Sequence, residues 1–477
     1  MSVAAPKPIS FNPWKRLASD LRIERSWDGA LPPGPTRFSI RRTQQIAHDP
    51  LPLLLDCYRE YGPIFSMRIL HASGLFMLGP DANRHILIEN APNFRWRDGG
   101  FIDLIPLLGD GMLTIDGTYH RRARRIMLPA FHRDRIAATQ ATMVEETVRA
   151  LDGHAAGGEL DVYHWTRGLA LRIAMRALFG FHLDGRDGNV DVAEEFERAL
   201  SYYGTDYALR SLRGPRTPWR RMHESRRLLD RVIYAEIARR RDHDDFGEDI
   251  LSLLMQARDD DGSAYSDREL RDQLMTLLFA GHDTTTSTVS FLFYELARHP
   301  RVLAGLLEEQ DAVLDGRAPE AADVTGEALP KLEMAIDETL RLYPPAWIGP
   351  RRCVEPFEFA GYRIPGGVPV SYCSWASHRL PDVFPEPEVF VPERFAPEAK
   401  ARLPKGAYVP FGGGSRTCIG MRFGQMEIRT IATLILQRVR LGLMPGHTMR
   451  IRQMPTLSPD GGLPMLVQQR EAPLPVA

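Results

Sequence analysis

The 477-residue sequence predicts a mainly α protein with a small β-rich lobe, folded as a single large domain. Three observations lead there. From about residue 117 to 345 the texture is helical, interrupted only by short breaks at Gly157-Gly158, around Gly185 to Gly188, at Gly214-Pro215, at Asp259 to Gly262 and at Gly316 to Pro319. Short apolar runs bounded by Gly and Pro occur before and after this stretch. Length alone suggests about three domains at ~150 residues each, yet no linker divides the chain.

In chain order, residues 1–30 read as an N-terminal extension, weakly ordered or lying on the surface, and 31–477 as the domain. Leu31-Pro-Pro-Gly-Pro35 is a rigid, non-helical lead-in. Residues 50–61 form a helix ending near Gly62-Pro63. Ile64 to Ile69 and Gly74 to Leu78 pair as strands, and 81–90 is helical. Asp98 to Gly111 is irregular and apolar. Ser266-Asp-Arg-Glu269 opens a long helix with a capping box. After Pro344-Pro345 the chain turns to strands, with Phe357 to Tyr362 and Val368 to Cys373 as a hairpin, and Ile419 to Val439 is an amphipathic helix.

Net charge is −1, with 44% hydrophobic and 25% charged residues, which is ordinary for a globular protein and gives no argument for nucleic acid. Cys57, Cys353, Cys373 and Cys418 show no zinc or redox spacing, so a reducing, cytoplasmic compartment is expected. No run approaches the ~20 apolar residues of a membrane span, and the first thirty residues have no signal-type apolar core.

The most informative segment is Phe411-Gly-Gly-Gly-Ser-Arg-Thr-Cys418-Ile-Gly420. Gly412, Gly413 and Gly414 permit a tight turn and close approach to a flat cofactor, and Gly420 leaves room beside a ring. Arg416 offers a fork for a carboxylate. A thiolate on Cys418 at a helix N-terminus gains from free N–H groups and the helix dipole. Read alone, the segment also fits a buried, inert cysteine beside a glycine turn.

Phe411, Gly414, Arg416, Cys418 and Gly420 fill the haem-loop signature of the cytochrome P-450 family without a gap, and the segment resembles that loop. The resemblance extends from about Leu31 to Leu466. It implies a P-450-type domain with a long kinked helix over a haem b whose iron is held by the Cys418 thiolate. Phe411, Gly412, Gly420 and Ala280 would line the haem. Glu338-Thr-Leu-Arg341 and the later Phe390-Val-Pro-Glu-Arg394-Phe395 are similar to the family's buried cluster, here Glu338, Arg341 and Arg394, whose role is structural. Taken singly, Glu338 and Arg341 are also what a surface i,i+3 pair looks like.

Phe279-Ala-Gly-His-Asp-Thr-Thr285 matches the mid-helix oxygen groove. There the resemblance makes Asp283 and Thr284 the acid–alcohol pair: Thr284 would hold the reacting oxygen and its water, and Asp283 would connect them to bulk protons. Thr284 either bonds back to the Ala280 carbonyl or leaves it free. His120 and Arg124 stand where the family places a haem-propionate pair. Arg416 and Arg351 would complete it, with Arg352 leaving the register between 351 and 352 open. Arg121, Arg122 and Arg125 read as a solvated basic face or as a docking patch for an acidic electron carrier.

The implied reaction is monooxygenation of a lipophilic small molecule (fatty acid, terpenoid, steroid or polyketide) with dioxygen. Electrons would come from NAD(P)H through a separate ferredoxin and ferredoxin reductase, and the chain is expected to be monomeric. Phe101, Leu104, Phe279, Trp347, Ile348 and Leu457 are the substrate-facing candidates, each also consistent with ordinary core. A hydrogen-peroxide-driven peroxygenase and a non-catalytic haem ligand sensor are the alternatives. Asp283 and Thr284 weigh against both.

Overall fold

The computed structural model describes residues 6, 9–154, 158–180, 191–244, 246–259 and 262–470. The helices that position the site are α1 (Pro13–Arg25), α2 (Gly117–Met127), α3 (Val162–Phe179), α4 (Val192–Ser201), α5 (Pro218–His243), α6 (Asp267–Arg298), α7 (Pro330–Leu342) and α8 (Met421–Arg438). Helix α6 is the axis of the molecule. Its start is fixed by a reciprocal capping box between Ser266 and Glu269. Its long burial pattern reflects contacts with α3, α8 and α7 on different sides. One large apolar cluster, including Leu169, Leu274, Val289 and Ile431, fills the space between these helices.

The strands are β1 (Ile64–Ile69), β2 (Ala72–Met77), β3 (Phe94–Arg95), β4 (Gly158–Asp161), β5 (Ile348–Cys353), β6 (Phe357–Phe359), β7 (Tyr362–Ile364), β8 (Pro369–Cys373), β9 (Val439–Leu443), β10 (Ile451–Arg452), β11 (Ser458–Pro459) and β12 (Pro464–Gln469). The main sheet runs β1-β2-β8-β5-β3, and β4-β12-β9 form a second, three-stranded sheet. In β5 burial alternates strictly, so Arg351 faces inward and Arg352 outward.

Several expectations need correction. The hairpin expected between Phe357–Tyr362 and Val368–Cys373 does not form. Phe357–Phe359 closes instead on Tyr362–Ile364 through Ala360 and Gly361, both at positive φ (50° and 82°), as a two-residue loop requires. Strand β8 is buried between parallel β2 and antiparallel β5. The stretch 98–111 is not irregular throughout, because Gly100–Leu104 is a 3₁₀ turn and Ile105–Leu108 a short helix. The last long helix begins at Met421, not Ile419, with Gly420 as its N-cap. Strand β4 was not expected at all, since its four residues carry no alternation. The break read around Gly185 to Gly188 lies outside the described residues. Within the N-terminal extension, Asn12 caps α1, which buries none of its own residues. Ion pairs attach it: Arg16 to Asp103, Glu24 to Arg68, and Asp20 to Arg352 at 3.3 Å.

Behind the loop that carries Cys418, Glu338 and Arg341 are both fully buried. Arg341 grips Glu338 with two bonds of 2.7 and 2.8 Å and gives its remaining N–H groups to the carbonyls of His378, Pro387 and Val389. Arg394 approaches the same carboxylate at 3.4 Å. His378 in turn accepts from the Val409 amide, which fixes the chain two residues before Phe411. Glu338 and Arg341 therefore form no surface pair.

Candidate functional site

Between Leu270 and Phe293 every residue of α6 is buried except Ala280, Gly281 and Thr284. These three share one face over one turn. Exposure confined in that way, in the middle of a buried helix, marks the wall of an internal pocket. A Cβ added at Gly281 meets nothing within 4 Å. Cys418 shows the same combination from the other direction. It is exposed by surface area, yet burial pushes its thiol pKa up, as expected for a side chain lining an enclosed space and not the outer surface. Shared contacts tie the two walls together. Gln273 of α6 accepts from the Met112 amide, and the Met112 carbonyl accepts from Arg416, two residues before Cys418. From α8, Glu427 accepts a 2.7 Å bond from Thr285 of α6.

Of the loop glycines, Gly412 and Gly414 take positive φ, as the tight turn requires, and Gly413 and Gly414 pack against Leu87 and Ile88. Gly414 sits at φ +61°, and a Cβ there would lie 2.2 Å from the Leu87 carbonyl oxygen. Gly414→Ala should therefore cost at least the ~1–2 kcal/mol of a left-handed L-residue, read as a lower midpoint in urea unfolding. A midpoint equal to that of the unmodified protein would refute the tight approach. At Gly420 the nearest atom to an added Cβ is in Phe131, 3.9 Å away, which leaves space beside Cys418. The amide of Gly420 and the charge of Arg124 both lower the Cys418 pKa, but burial outweighs them. Cys418 lies three residues before the helix begins, and the Gly420 amide at the helix N-cap is the N–H that reaches it. A bound metal is what would deprotonate this thiol.

The pocket concentrates positive charge. His120 is buried on α2 and makes no side-chain hydrogen bond among the described residues. Burial and the charges of Arg416, Arg124 and Arg121 push its pKa down to about 3. Arg416 is pushed down to about 10 by burial despite its 2.6 Å pair with Asp116. Arg351 is 2% exposed and lies 3.6 Å over the Trp96 ring; it donates to the Pro350 carbonyl and meets the Tyr372 side chain, and its Nη2 is buried without a hydrogen-bond partner among the described residues. Its neighbour Arg352 is satisfied by the carbonyls of Asp98 and Gly367 and by Asp20. Arg351, not Arg352, thus faces the pocket. Neither Arg124 nor Arg351 has a carboxylate partner within ion-pair distance among the described residues. Buried cations of this kind are costly unless paired. A flat ligand bearing two carboxylates, with a metal for Cys418, fits the donor set. Haem has that chemistry.

Thr284 donates its hydroxyl to the Ala280 carbonyl at 2.7 Å, and Thr286, Thr288 and Ser290 repeat the pattern one turn apart. The helix stays continuous, so the local weakness takes the form of shared carbonyls and not a break. Asp283 points the other way. It lies 3.2 Å from Arg167 and 3.3 Å from His282, and His282 lies 3.0 Å from Glu197. Burial opposes it, but His282 and Arg167 hold the Asp283 carboxyl below the usual range. His282 is raised because Asp283 and Glu197 outweigh its burial. Glu197 on α4 is 37% exposed, so this chain of charges runs from the helix face to the surface. The sequence reading missed His282, Arg167 and Glu197; only the adjacency of His282 to Asp283 hinted at them. It also missed Asp116, which anchors Arg416.

Glu427 was missed as well. It is 1% exposed with one unpartnered oxygen, and burial pushes its pKa up to about 8. A folded pKa above the unfolded one means the folded state holds the extra proton. The resulting stability is complete below the ordinary carboxylate range, declines as pH rises through it, and is gone above about 8. Glu427→Gln should flatten that slope and raise the melting temperature most near pH 8. An unchanged pH profile would place the ionised carboxylate in the fold.

Of the substrate candidates, Leu104 and Phe279 border the main cluster at 9% and 8% exposure, and Phe101 stacks on Trp96 at 4.7 Å. Trp347 and Leu457 are core. They pack in the lobe cluster with Leu54 and Trp375, and Trp347 spends its N–H on the Gln453 carbonyl. Ile348 lies at the edge of the same cluster. The expected basic face also changes: Arg122 is buried against Glu269 at 2.8 Å, while Arg121 and Arg125 are exposed, the latter 3.4 Å from Asp259.

The family model described as Cytochrome P450 matches residues 32–464. The chain is 33% identical to cyclooctat-9-en-7-ol 5-monooxygenase of Streptomyces melanosporofaciens, over 94% of this chain and 96% of that one. It is 36% identical to cyclooctatin synthase of the same organism, over 76% and 80%. Among solved structures, the retinoic acid bound cyanobacterial CYP120A1 superposes with a TM-score of 0.83 at 27% identity, covering 93% of this chain and 100% of that one.

Proposed function

The chain belongs to the cytochrome P450 superfamily and is a haem-dependent P450-type monooxygenase, and on that premise we propose that Cys418 would hold the haem iron through its thiolate and that the substrate is a lipophilic, alkene-bearing terpenoid. The observation that carries the site is the exposure of Ala280, Gly281 and Thr284 within an otherwise buried helix, in the pocket that Cys418 lines. For the substrate class, the support is the apolar border formed by Leu104 and Phe279 and two relatives named for cyclooctat-9-en-7-ol and cyclooctatin chemistry.

When bound, haem held through a cysteine thiolate supplies the electron push for oxygen activation. The rest falls to the chain. Arg124, Arg351, Arg416 and His120 would hold the two carboxylates of the haem. Thr284 turns its hydroxyl from the Ala280 carbonyl into the pocket to hold a water. Asp283 receives protons through His282 from half-exposed Glu197, while Arg167 stays charged and holds both carboxylates in place, because reducing one oxygen atom to water consumes two protons. Electrons come from a separate ferredoxin and its reductase. The face beside the loop offers exposed Arg121 with the apolar side chains Ile88 and Leu128, a mixed surface of the kind such partners use.

The test is a spectral titration with terpenoids, fatty acids, steroids and macrolides, followed by turnover with ferredoxin, reductase and NADPH. A high-spin shift with terpenoids alone supports the reading; a shift confined to another class overturns the substrate assignment. Thr284→Ala should cut product formed per NADPH by about tenfold or more, less than the ~10²–10⁴ of a positioned proton-transfer group because other waters can still deliver protons, with the lost electrons recovered as hydrogen peroxide. Unchanged coupling would remove Thr284 from the proton path.

A further inference from the structure

A second charged site lies at the start of α5, outside the pocket described above. The segment 206–227 carries seven arginines against only Asp206 and Glu224. Five of them (Arg213, Arg216, Arg220, Arg221 and Arg227) line one cleft of about 850 Å³, together with Trp219, His223 and Glu224. This is far more positive charge than one carboxylate balances, and Glu224 is already paired with Arg220 at 2.6 Å.

The cleft is built, not merely basic. Arg213 is locked by carbonyls of Phe11, Arg210 and Leu212 and lies 3.9 Å over the Trp219 ring, so its charge is held in place. Arg216 is presented from a left-handed backbone at φ 60°, a conformation rare for a side-chain-bearing residue. Thr217 caps the 26-residue helix that follows. Trp219 and His223, one turn apart, meet edge to face at 4.4 Å. His223 registers the local field: burial and four nearby arginines, Arg226, Arg227, Arg213 and Arg220, push its pKa down to about 4.

We propose that this cleft binds a phosphate-bearing anion, through forked contacts from Arg216, Arg221 and Arg227 around the fixed charge of Arg213. Guanidinium forks match phosphate oxygens in pairs, and several on one concave wall select a dianion over chloride. The cleft exceeds a single phosphate and has an indole wall, so a phosphate ester or diphosphate fits it better than the bare ion. A free phosphorylated metabolite and a lipid headgroup share this chemistry.

The experiment uses the full-length protein at constant ionic strength. Pyrophosphate is titrated calorimetrically, the His223 ring resonances are followed by NMR against pH, and co-sedimentation is measured with phosphatidylglycerol and with phosphatidylcholine vesicles. Saturable pyrophosphate binding that raises the His223 pKa is expected. Arg216→Gln with Arg221→Gln should weaken it at least about tenfold, the scale of losing charge-assisted bonds. Arg301→Gln with Arg402→Gln, which removes the same charge from exposed positions elsewhere, should leave it unchanged. Binding to phosphatidylglycerol vesicles with the same dependence on Arg216 and Arg221 assigns the headgroup as the source; pyrophosphate binding without vesicle binding assigns a soluble ligand. Non-saturable binding, equal loss in the two double variants, or no movement of His223 overturns the site.

Discussion

Cys418→Ala is expected to abolish monooxygenation while leaving the fold intact. Among the described residues the side chain belongs to no apolar cluster, and its one hydrogen bond is from the Gly420 amide, with the charge of Arg124 nearby. Loss of one such bond costs about 1 kcal/mol, so circular dichroism and the unfolding midpoint should barely change. The spectrum should change completely. Reduced protein under carbon monoxide should lose the red-shifted Soret band of a thiolate ligand, and product should fall below detection. Retention of that band in the variant would show that another residue holds the iron. A lost fold would mean that the loop depends on this cysteine in a way its contacts do not show.

Glu338→Ala should have the largest effect on stability of any single substitution in the chain. It leaves the fully buried Arg341 guanidinium without its two bonds to carboxylate and removes the acceptor of the Val391 amide. Breaking a buried pair from one side costs about 3–5 kcal/mol, a large part of the ~5–15 kcal/mol that holds a domain together. The expected outcome is little soluble protein at 37 °C and a strongly lowered midpoint at 15 °C. Glu338→Gln, which keeps acceptor oxygen but not charge, should recover part of the loss. Equal midpoints for Glu338→Ala and the unmodified protein would reduce the cluster to a bystander. His378 links this cluster to Val409, so partial damage should also appear as weaker haem retention.

The sequence made some of this legible for clear reasons. The haem loop, the capping box at Ser266 and the pair Glu338–Arg341 are local patterns, and spacing along one helix or turn is enough to specify them. Arg351 against Arg352 was open because alternation tells which residues share a face, not which face is inside; the partners of Arg352 decide it. The link from Asp283 to Glu197 joins α6, α3 and α4 across more than eighty residues, and no local spacing encodes it. Glu427 is invisible for a similar reason. A glutamate in a helical stretch reads as a solvent-facing residue until the neighbouring helix is placed over it. The hairpin failed because a strand's partner is set by the sheet and not by proximity in sequence.

Helix α1 is fastened to the rest of the molecule without burying any of its residues. Its attachment rests on opposite charges meeting at Asp103, Arg68 and Arg352. A joint of that kind answers to ionic strength. Contacts of this sort are screened within about 8 Å at physiological salt, and the apolar contribution is confined to half-buried side chains such as Leu17, Leu21 and Ile23. The N-terminal segment thus behaves as an ionic clasp. One of its teeth, Arg352, sits beside the inward-facing Arg351 on the same strand, so the state of the clasp and the seating of the buried arginine share one short piece of backbone.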